Sequence, residues 1–165
     1  MPTHLMIQKN YRKMLVVLGV VFCCHVQAQV KVVKLADLQQ LLTAKQDTTY
    51  IINFWATWCS PCIEELPYFE EINRKTADRN VKVYLVSLDE IEGLDHKVVS
   101  FIKKKNLQSE VWLLDEHDAN VWMNQIDTSW SGAIPATLVV NTFRRKRIFV
   151  DESVTLQVLE AMIAK

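Results

Sequence analysis

Two cysteines three positions apart, Cys59 and Cys62, carry the clearest chemical signal in this sequence of 165 residues. The thiolate, not the thiol, attacks a disulfide, so a redox cysteine must ionise at its working pH and must reach its substrate. The pattern predicts that Cys59 lies between a buried strand and a helix, where the positive end of the helix dipole favours a negative sulfur. Cys62, one turn into that helix, then faces Cys59. The pair therefore predicts thiol-disulfide exchange, with Cys59 as the nucleophile and Cys62 as the resolving cysteine.

The same cysteine spacing also occurs in zinc sites, which usually need four ligands. Two of the four cysteines, Cys23 and Cys24, lie in an N-terminal apolar run, which leaves His96 and His117 as the other candidate ligands. Neither histidine shows paired ligand spacing, and we expect both on helix surfaces. A disulfide across so short a loop restricts the unfolded chain very little. These points favour catalysis over a structural role, and we expect no metal and no cofactor.

The first 28 residues have the pattern of an export signal. A basic patch at residues 9–13 precedes the apolar run Met14–Cys24, and Val26 and Ala28 stand at the two positions that a signal peptidase reads. The apolar run is short for a membrane span, which needs roughly 20 residues. We therefore expect residues 1–28 to be a cleaved signal peptide.

Residues 29–165 are expected to form one exported domain. Two alternatives concern the N-terminal segment: it is retained as a membrane anchor, or a lipid is attached to Cys23 or Cys24. The residue before Cys23 is Phe22, whereas lipoprotein signals usually carry a small residue at that position. Export with cleavage therefore remains the favoured interpretation.

Composition limits the function further. Half of the residues are hydrophobic and 23% are charged, which suits one well-packed core. Without residues 1–28 the chain keeps 16 Lys and Arg against 19 Asp and Glu, a net charge of about −3. Such a domain has no general attraction for nucleic acid, and we expect none as a partner. The basic run Arg144–Arg147 lies between two apolar runs and is expected to mark a solvated turn.

Apolar patterns of strand type and helix type alternate along the rest of the chain. Strands are predicted at residues 30–33, 49–55, 81–88, 111–114, 136–141 and 148–150. Helices are predicted at residues 36–44, 98–105 and 118–126, the last with Asp115 as its N-cap. A further helix is predicted directly after the cysteines, with Leu66, Phe69 and Ile72 on its apolar face. The final helix is predicted from Val154 onward. Alternating strands and helices, closed by a hairpin and a helix, predict an α/β fold whose mixed sheet is covered on both faces.

Residues 54–62, Phe-Trp-Ala-Thr-Trp-Cys-Ser-Pro-Cys, resemble the active-site segment of the thioredoxin superfamily. The Glu-Leu-Pro that follows at residues 65–67 resembles the TlpA/ResA-type periplasmic thiol-disulfide oxidoreductases. Residues 132–137, Gly-Ala-Ile-Pro-Ala-Thr, resemble the cis-proline loop of the same superfamily. The similarity in element order extends over most of residues 30–165. It implies a thioredoxin-like fold, with a central mixed β-sheet flanked by helices on both faces, and a protein disulfide reductase outside the cytoplasm.

The resemblance also implies roles for individual residues. Pro135 would be cis, Ile134 would sit across from Cys59, and their loop would offer backbone groups to an extended substrate segment. Trp58 matches a position that partly shields the cysteines and contributes to recognition. Trp130 either shapes this groove or covers the core. Trp55, Trp112 and Trp122 are expected in the core.

Glu65 matches an acidic position that the TlpA/ResA type keeps near the active site, where a carboxylate helps to move protons. The alternative is an acid in the first turn of the helix, chosen only to suit the helix dipole. Thioredoxins themselves instead carry a buried acid six residues before the first cysteine, where this chain has Asn53. Because Asn53 cannot titrate, a proton relay must use Glu65 or water.

The partners that the resemblance implies are protein thiols and disulfides in the extracytoplasmic space, with electrons from a membrane redox partner. A copper-binding chaperone on the same scaffold is the alternative function. Proteins of that kind have three residues between the cysteines and a histidine near the proline loop, whereas this chain has two spacer residues and His117 well upstream. A thiol peroxidase would need a peroxide-binding threonine or arginine around one cysteine, which the Trp-Cys-Ser-Pro-Cys context does not resemble.

Overall fold

A computed structural model describes residues 30–164, so the predicted signal peptide lies outside the described residues and stays a prediction. Six strands form one mixed sheet in the order β1-β4-β3-β2-β5-β6. The strands are β1 (Lys31–Val33), β2 (Thr49–Trp55), β3 (Val81–Ser87), β4 (Glu110–Leu114), β5 (Ala136–Asn141) and β6 (Lys146–Val150). The first four strands pair in parallel, while β5 runs antiparallel to both β2 and β6.

Helices cover both faces of this sheet. They are α1 (Leu35–Leu42), α2 (Ser60–Lys75), α3 (Ser100–Lys105), α4 (Ala119–Ile126) and α5 (Leu156–Ala164), with a π-helical stretch (Leu94–Val99) leading into α3. One buried cluster joins α2, α3 and α5 to the sheet, and the other joins α1 and α4 to the opposite face. This arrangement confirms the predicted α/β fold. Within residues 30–164, no helix combines the length and the apolar character that crossing a bilayer requires.

Strand β2 is the element that positions the cysteines. All seven of its residues are buried, as expected for a continuous apolar run that packs helices on both faces. It pairs with β3 in parallel, Thr49 opposite Val81 through Trp55 opposite Ser87. The carboxyl ends of β2 and β3 therefore lie side by side at one edge of the sheet, and Cys59 follows four residues after β2 ends.

Helix α4 was predicted to within one residue, but its predicted N-cap, Asp115, was wrong. Helix α4 begins at Ala119, and its N-cap is Asp118, whose Oδ1 accepts a hydrogen bond from the backbone N–H of Asn120 at 3.0 Å. Asp115 continues the sheet instead, because its own N–H donates to the Val33 carbonyl at 2.9 Å. A residue whose backbone is still paired with a strand is not free to start a helix.

The final helix also begins later than predicted. Val154 was placed in it, whereas α5 begins at Leu156. The backbone N–H of Val154 donates to the carboxylate of Glu65 at 2.8 Å, so this residue belongs to the active-site region and not to the helix.

Candidate active site

Cys59 occupies the N-cap of α2, with an extended backbone at φ −89° and ψ 100°. Pro61 lies in the first turn, where proline loses no helical hydrogen bond. The backbone N–H of Cys62 donates to Cys59 Sγ at 3.3 Å, and a disulfide joins the two cysteines. Cys59 is 5% exposed whereas Cys62 is fully buried. Cys59 is therefore the more exposed of the two cysteines.

The proline loop lies against Cys59. The Ile134–Pro135 peptide bond is cis, and the Ile134 carbonyl oxygen lies 3.8 Å from Cys59 Sγ. This is the juxtaposition that the resemblance implies. Ile134 is half-buried, whereas Trp58, next to Cys59 in the chain, is 69% exposed. Apolar side chains thus flank the more exposed of the two cysteines.

Trp130 both covers the core and supports the proline loop. It is buried, and its ring packs against Phe54 with the centroids 4.7 Å apart. Its indole N–H donates to the Ala133 carbonyl at 2.8 Å, which ties the loop to the core just before Ile134. Its burial agrees with the alternative that Trp130 covers the core, and a role in shaping the substrate groove stays a prediction. The other three tryptophans assigned to the core are buried as expected: Trp55, Trp112 and Trp122.

Glu65, three residues after Cys62 on α2, is buried, and both of its carboxylate oxygens accept hydrogen bonds. Oε1 accepts a hydrogen bond from Asn53 Nδ2, and Oε2 accepts one from the Val154 N–H, each at 2.8 Å. Burial raises the pKa of Glu65 from 4.5 to about 7, although both hydrogen bonds favour the charged form and oppose the rise. Because α2 begins at Ser60, Glu65 lies in the second turn and faces inward. The alternative of a first-turn acid is therefore wrong.

Asn53 links this acid to the strand that follows the proline loop. It is fully buried on β2, and its Nδ2 lies 3.2 Å from Thr137 Oγ1 and 3.5 Å from the Ala136 carbonyl oxygen, besides its bond to Glu65. Its Oδ1 has no hydrogen-bond partner among the described residues. The amide that replaces the usual buried acid thus holds Glu65 in place.

Asp89 is a polar residue of this region that the sequence pattern did not identify. It is 4% exposed and lies two residues beyond the end of β3. Its carboxylate accepts hydrogen bonds from the backbone and side chain of Thr57, close to Cys59. A signal was present, since an acid directly after a buried strand parallel to β2 must lie at the same sheet edge as the cysteines.

The described residues do not form a cluster of three His, Cys, Asp or Glu side chains that suits a metal ion. His96 is exposed within the π-helical stretch before α3, as expected for a surface helix residue. His117 is also exposed, but its predicted place in a helix was wrong because Asp118 caps α4 one residue later. The two histidines lie on separate surface elements, away from the Cys59–Cys62 pair in sequence.

The sequence of this chain is similar to those of known proteins. A family model described as the AhpC/TSA family matches residues 22–145. Thiol-disulfide oxidoreductase ResA of Oceanobacillus iheyensis is 31% identical over 113 residues, which cover 68% of this chain and 54% of that protein. The protein of the same name from Bacillus thuringiensis subsp. konkukian is 37% identical over 60 residues, covering 36% and 33%. The chain thus spans about half or less of the length of these curated relatives.

Solved structures show the same fold. A thioredoxin-related protein from Neisseria meningitidis serogroup B superposes with a TM-score of 0.62 at 21% identity, covering 75% of this chain and 91% of that one. StoA from Bacillus subtilis gives 0.55 at 22% identity, with 73% and 85% covered. A secreted disulfide oxidoreductase from Mycobacterium tuberculosis gives 0.54 at 18% identity, with 73% and 84% covered. At these identities the likeness establishes a thioredoxin-like fold.

Proposed function

The chain belongs to the AhpC/TSA family, and from this membership we propose that it is an extracytoplasmic thiol-disulfide oxidoreductase that reduces protein disulfides. The observation that carries the proposal is the geometry of the cysteines. Cys59 stands at the N-terminus of the 16-residue helix α2, receives a hydrogen bond from the Cys62 N–H, and is the more exposed member of the pair. Each feature stabilises or exposes a thiolate at that position. The relatives named thiol-disulfide oxidoreductase point to the same activity.

The reaction begins from the dithiol form. The Cys59 thiolate attacks one sulfur of the substrate disulfide, so that a bond between Cys59 and the substrate forms and the substrate S–S bond breaks. The second substrate sulfur leaves as a thiolate and takes up a proton. A mixed disulfide now joins the protein to its substrate.

Cys62 completes the exchange. Its thiol loses a proton, and the thiolate attacks Cys59 Sγ, which releases the remaining substrate sulfur as a thiolate that is then protonated. Two electrons have passed to the substrate, which becomes a dithiol, and the protein holds the Cys59–Cys62 disulfide. Because Cys62 is fully buried, it needs a nearby group to accept its proton. We assign that role to Glu65, whose pKa of about 7 suits proton exchange at neutral pH.

Recognition is assigned to the surface around Cys59. An extended substrate segment would pair with the backbone of the loop at Ile134 and Pro135, while its side chains contact Trp58. The support is the position of the Ile134 carbonyl, 3.8 Å from Cys59 Sγ, and the high exposure of Trp58. Backbone recognition of this kind accepts many sequences, which suits a reductase of several protein substrates.

The proposed location is outside the cytoplasm. Support comes from the export pattern of residues 1–28 and from the secreted disulfide oxidoreductase among the structural neighbours. In that compartment disulfides persist, so a reductase must receive its electrons from elsewhere. We assign this supply to a membrane redox partner that reduces the Cys59–Cys62 disulfide.

The test is an insulin-disulfide reduction assay of the purified protein with dithiothreitol as electron source. The reduction potential of the Cys59–Cys62 pair and a copper titration are measured on the same preparation. We expect catalysed insulin reduction and reversible formation of the disulfide. Cysteines that stay reduced under mild oxidant while copper binds tightly would instead support the copper-chaperone alternative.

A further inference from the structure

A second buried acid, Asp89, lies at the same sheet edge as the cysteines but takes no part in the exchange chemistry described above. Glu65 and Asp89 are the only buried carboxylic acids in residues 30–164. Burying a carboxylate is costly unless it is hydrogen-bonded, so both positions require specific partners. The partners of Asp89 are Thr57, in the loop that leads to Cys59, and Ser87, at the end of β3.

The carboxylate of Asp89 binds Thr57 through both of its oxygens. Oδ2 accepts a hydrogen bond from the Thr57 backbone N–H at 2.9 Å, and Oδ1 accepts one from the Thr57 hydroxyl at 2.6 Å. Ser87, the last residue of β3, donates its hydroxyl to Oδ2 at 2.8 Å. Because two donors of the same residue are bound by two oxygens of one carboxylate, both the position and the orientation of Thr57 are restrained.

Thr57 connects this carboxylate to the nucleophile. The loop of residues 56–58 leads from β2 to Cys59, and the Leu88 N–H donates to the Trp55 carbonyl at 2.8 Å where the loop begins. At the other end, the Cys59 N–H donates to the Ala56 carbonyl at 3.1 Å. Thr57 lies between these two backbone bonds. Asp89 connects it to β3, because its carboxylate also binds Ser87 at the end of that strand.

We propose that Asp89 is a positioning residue for Cys59, acting through Thr57. By holding Thr57, it keeps Cys59 at the N-cap of α2, where the Cys62 N–H points at Cys59 Sγ. The nucleophile needs this alignment because helix N-terminal N–H groups stabilise a thiolate only within the first turn. The inference rests on the proposed function, since it concerns the reactivity of the same cysteine.

Positioning and simple electrostatics predict opposite results when Asp89 is changed to Asn. A negative charge near Cys59 would by itself disfavour the thiolate, so removing the charge would lower the pKa of the Cys59 thiol. Loss of alignment has the reverse effect. Asp89→Asn leaves one acceptor oxygen for the three donors that the carboxylate binds, so the hold on Thr57 is loosened and the pKa of the Cys59 thiol rises.

The experiment measures iodoacetamide alkylation of the reduced protein as a function of pH, where the buried Cys62 does not compete. For Asp89→Asn we expect the midpoint of the Cys59 profile to rise by about one pH unit. Alkylation at neutral pH would then slow by up to about tenfold. Thr57→Val, which keeps the Asp89 charge and removes one of the bonds, is expected to shift the midpoint in the same direction by less. Thr57→Ser keeps both donors, so its midpoint is expected to equal that of the wild type.

An unchanged or lowered midpoint in Asp89→Asn would overturn the positioning role. If that variant does not fold, Thr57→Val decides, and an unchanged midpoint there would also overturn the role. Insulin reduction by the unmodified protein is measured separately. If the unmodified protein does not reduce insulin, the proposed function is contradicted, but the alkylation result is unaffected. The two failures are therefore distinguishable.

Discussion

The two ends of strand β2 hold their carboxyl groups in contrasting ways. At the site end, where β2 and β3 finish, burial raises the pKa of Glu65 to about 7. At the hairpin end, formed by the turn between β5 and β6 and the loop before β2, the hydrogen bonds from Arg144 and Asn141 lower the pKa of Asp47 to about 2. Burial without a cation makes a carboxyl group able to exchange protons near neutral pH. An ion pair at the surface keeps it charged at neutral pH.

The hairpin end also explains the basic run of residues 144–147. Arg144 contacts Asp47 through Nε at 2.6 Å and Nη2 at 2.8 Å, and Arg147 Nε lies 3.5 Å from Asp127. The side chains of Arg144 and Arg147 remain 66% and 42% exposed. The run therefore begins in the solvated turn that was expected, continues into β6, and carries local ion pairs.

The largest effect is expected from the cysteines, which define the site end. Cys59→Ser should reduce insulin reduction to the background rate, because a hydroxyl does not replace the thiolate. Cys62→Ala should instead accumulate mixed disulfides through Cys59, which non-reducing electrophoresis and mass spectrometry detect. Recovery of partners through Cys62 in Cys59→Ser would reverse the assignment of the two roles.

The next largest effect is expected from Glu65, whose proton exchange distinguishes the site end from the hairpin end. Glu65→Gln should lower insulin reduction at neutral pH by about a hundredfold and remove the titration near pH 7 from the pH profile. Glu64→Gln is the matched control, because Glu64 is the exposed neighbour on the same helix. An unchanged profile in Glu65→Gln would reduce Glu65 to a structural acid.

Glu65→Gln also tests the raised pKa through the pH dependence of the free energy of unfolding. The pKa of Glu65 in the folded protein lies above its ordinary value of 4.5, so its contribution to stability is complete below about pH 4.5 and is lost as the pH rises to about 7. The difference corresponds to about 3 kcal/mol. Urea unfolding of the oxidised protein should therefore show the wild type losing stability relative to Glu65→Gln across this range. Parallel curves for the two proteins would contradict the raised pKa.

The smallest effect is expected at the hairpin end. Arg144→Ala removes an exposed ion pair with Asp47, and such pairs contribute little because water and salt screen them. Insulin reduction and its pH profile should match the wild type, and the thermal midpoint should shift only slightly. A change in the pH profile would show that the two ends of β2 are coupled, and the comparison would fail.

The sequence alone determined the elements and the reacting pair. Strand β2 was predicted at its observed bounds and β3 to within one residue, because continuous apolar runs between polar loops are a local signal. Cys59 at the start of a helix followed from the same local pattern. The cis-proline loop came from its resemblance to a family motif.

Only the tertiary structure decided what surrounds the cysteines. The bonds from Val154 to Glu65 and from Thr57 to Asp89 join residues 89 and 32 positions apart. Such pairs form where chain segments converge at the end of a sheet, and no spacing along the chain encodes their distances or their burial. Whether an acid on α2 is a surface charge or a group with a pKa near 7 depends on that packing. The reacting cysteines can therefore be identified from the sequence, while the pKa of the acid near them is a property of the fold.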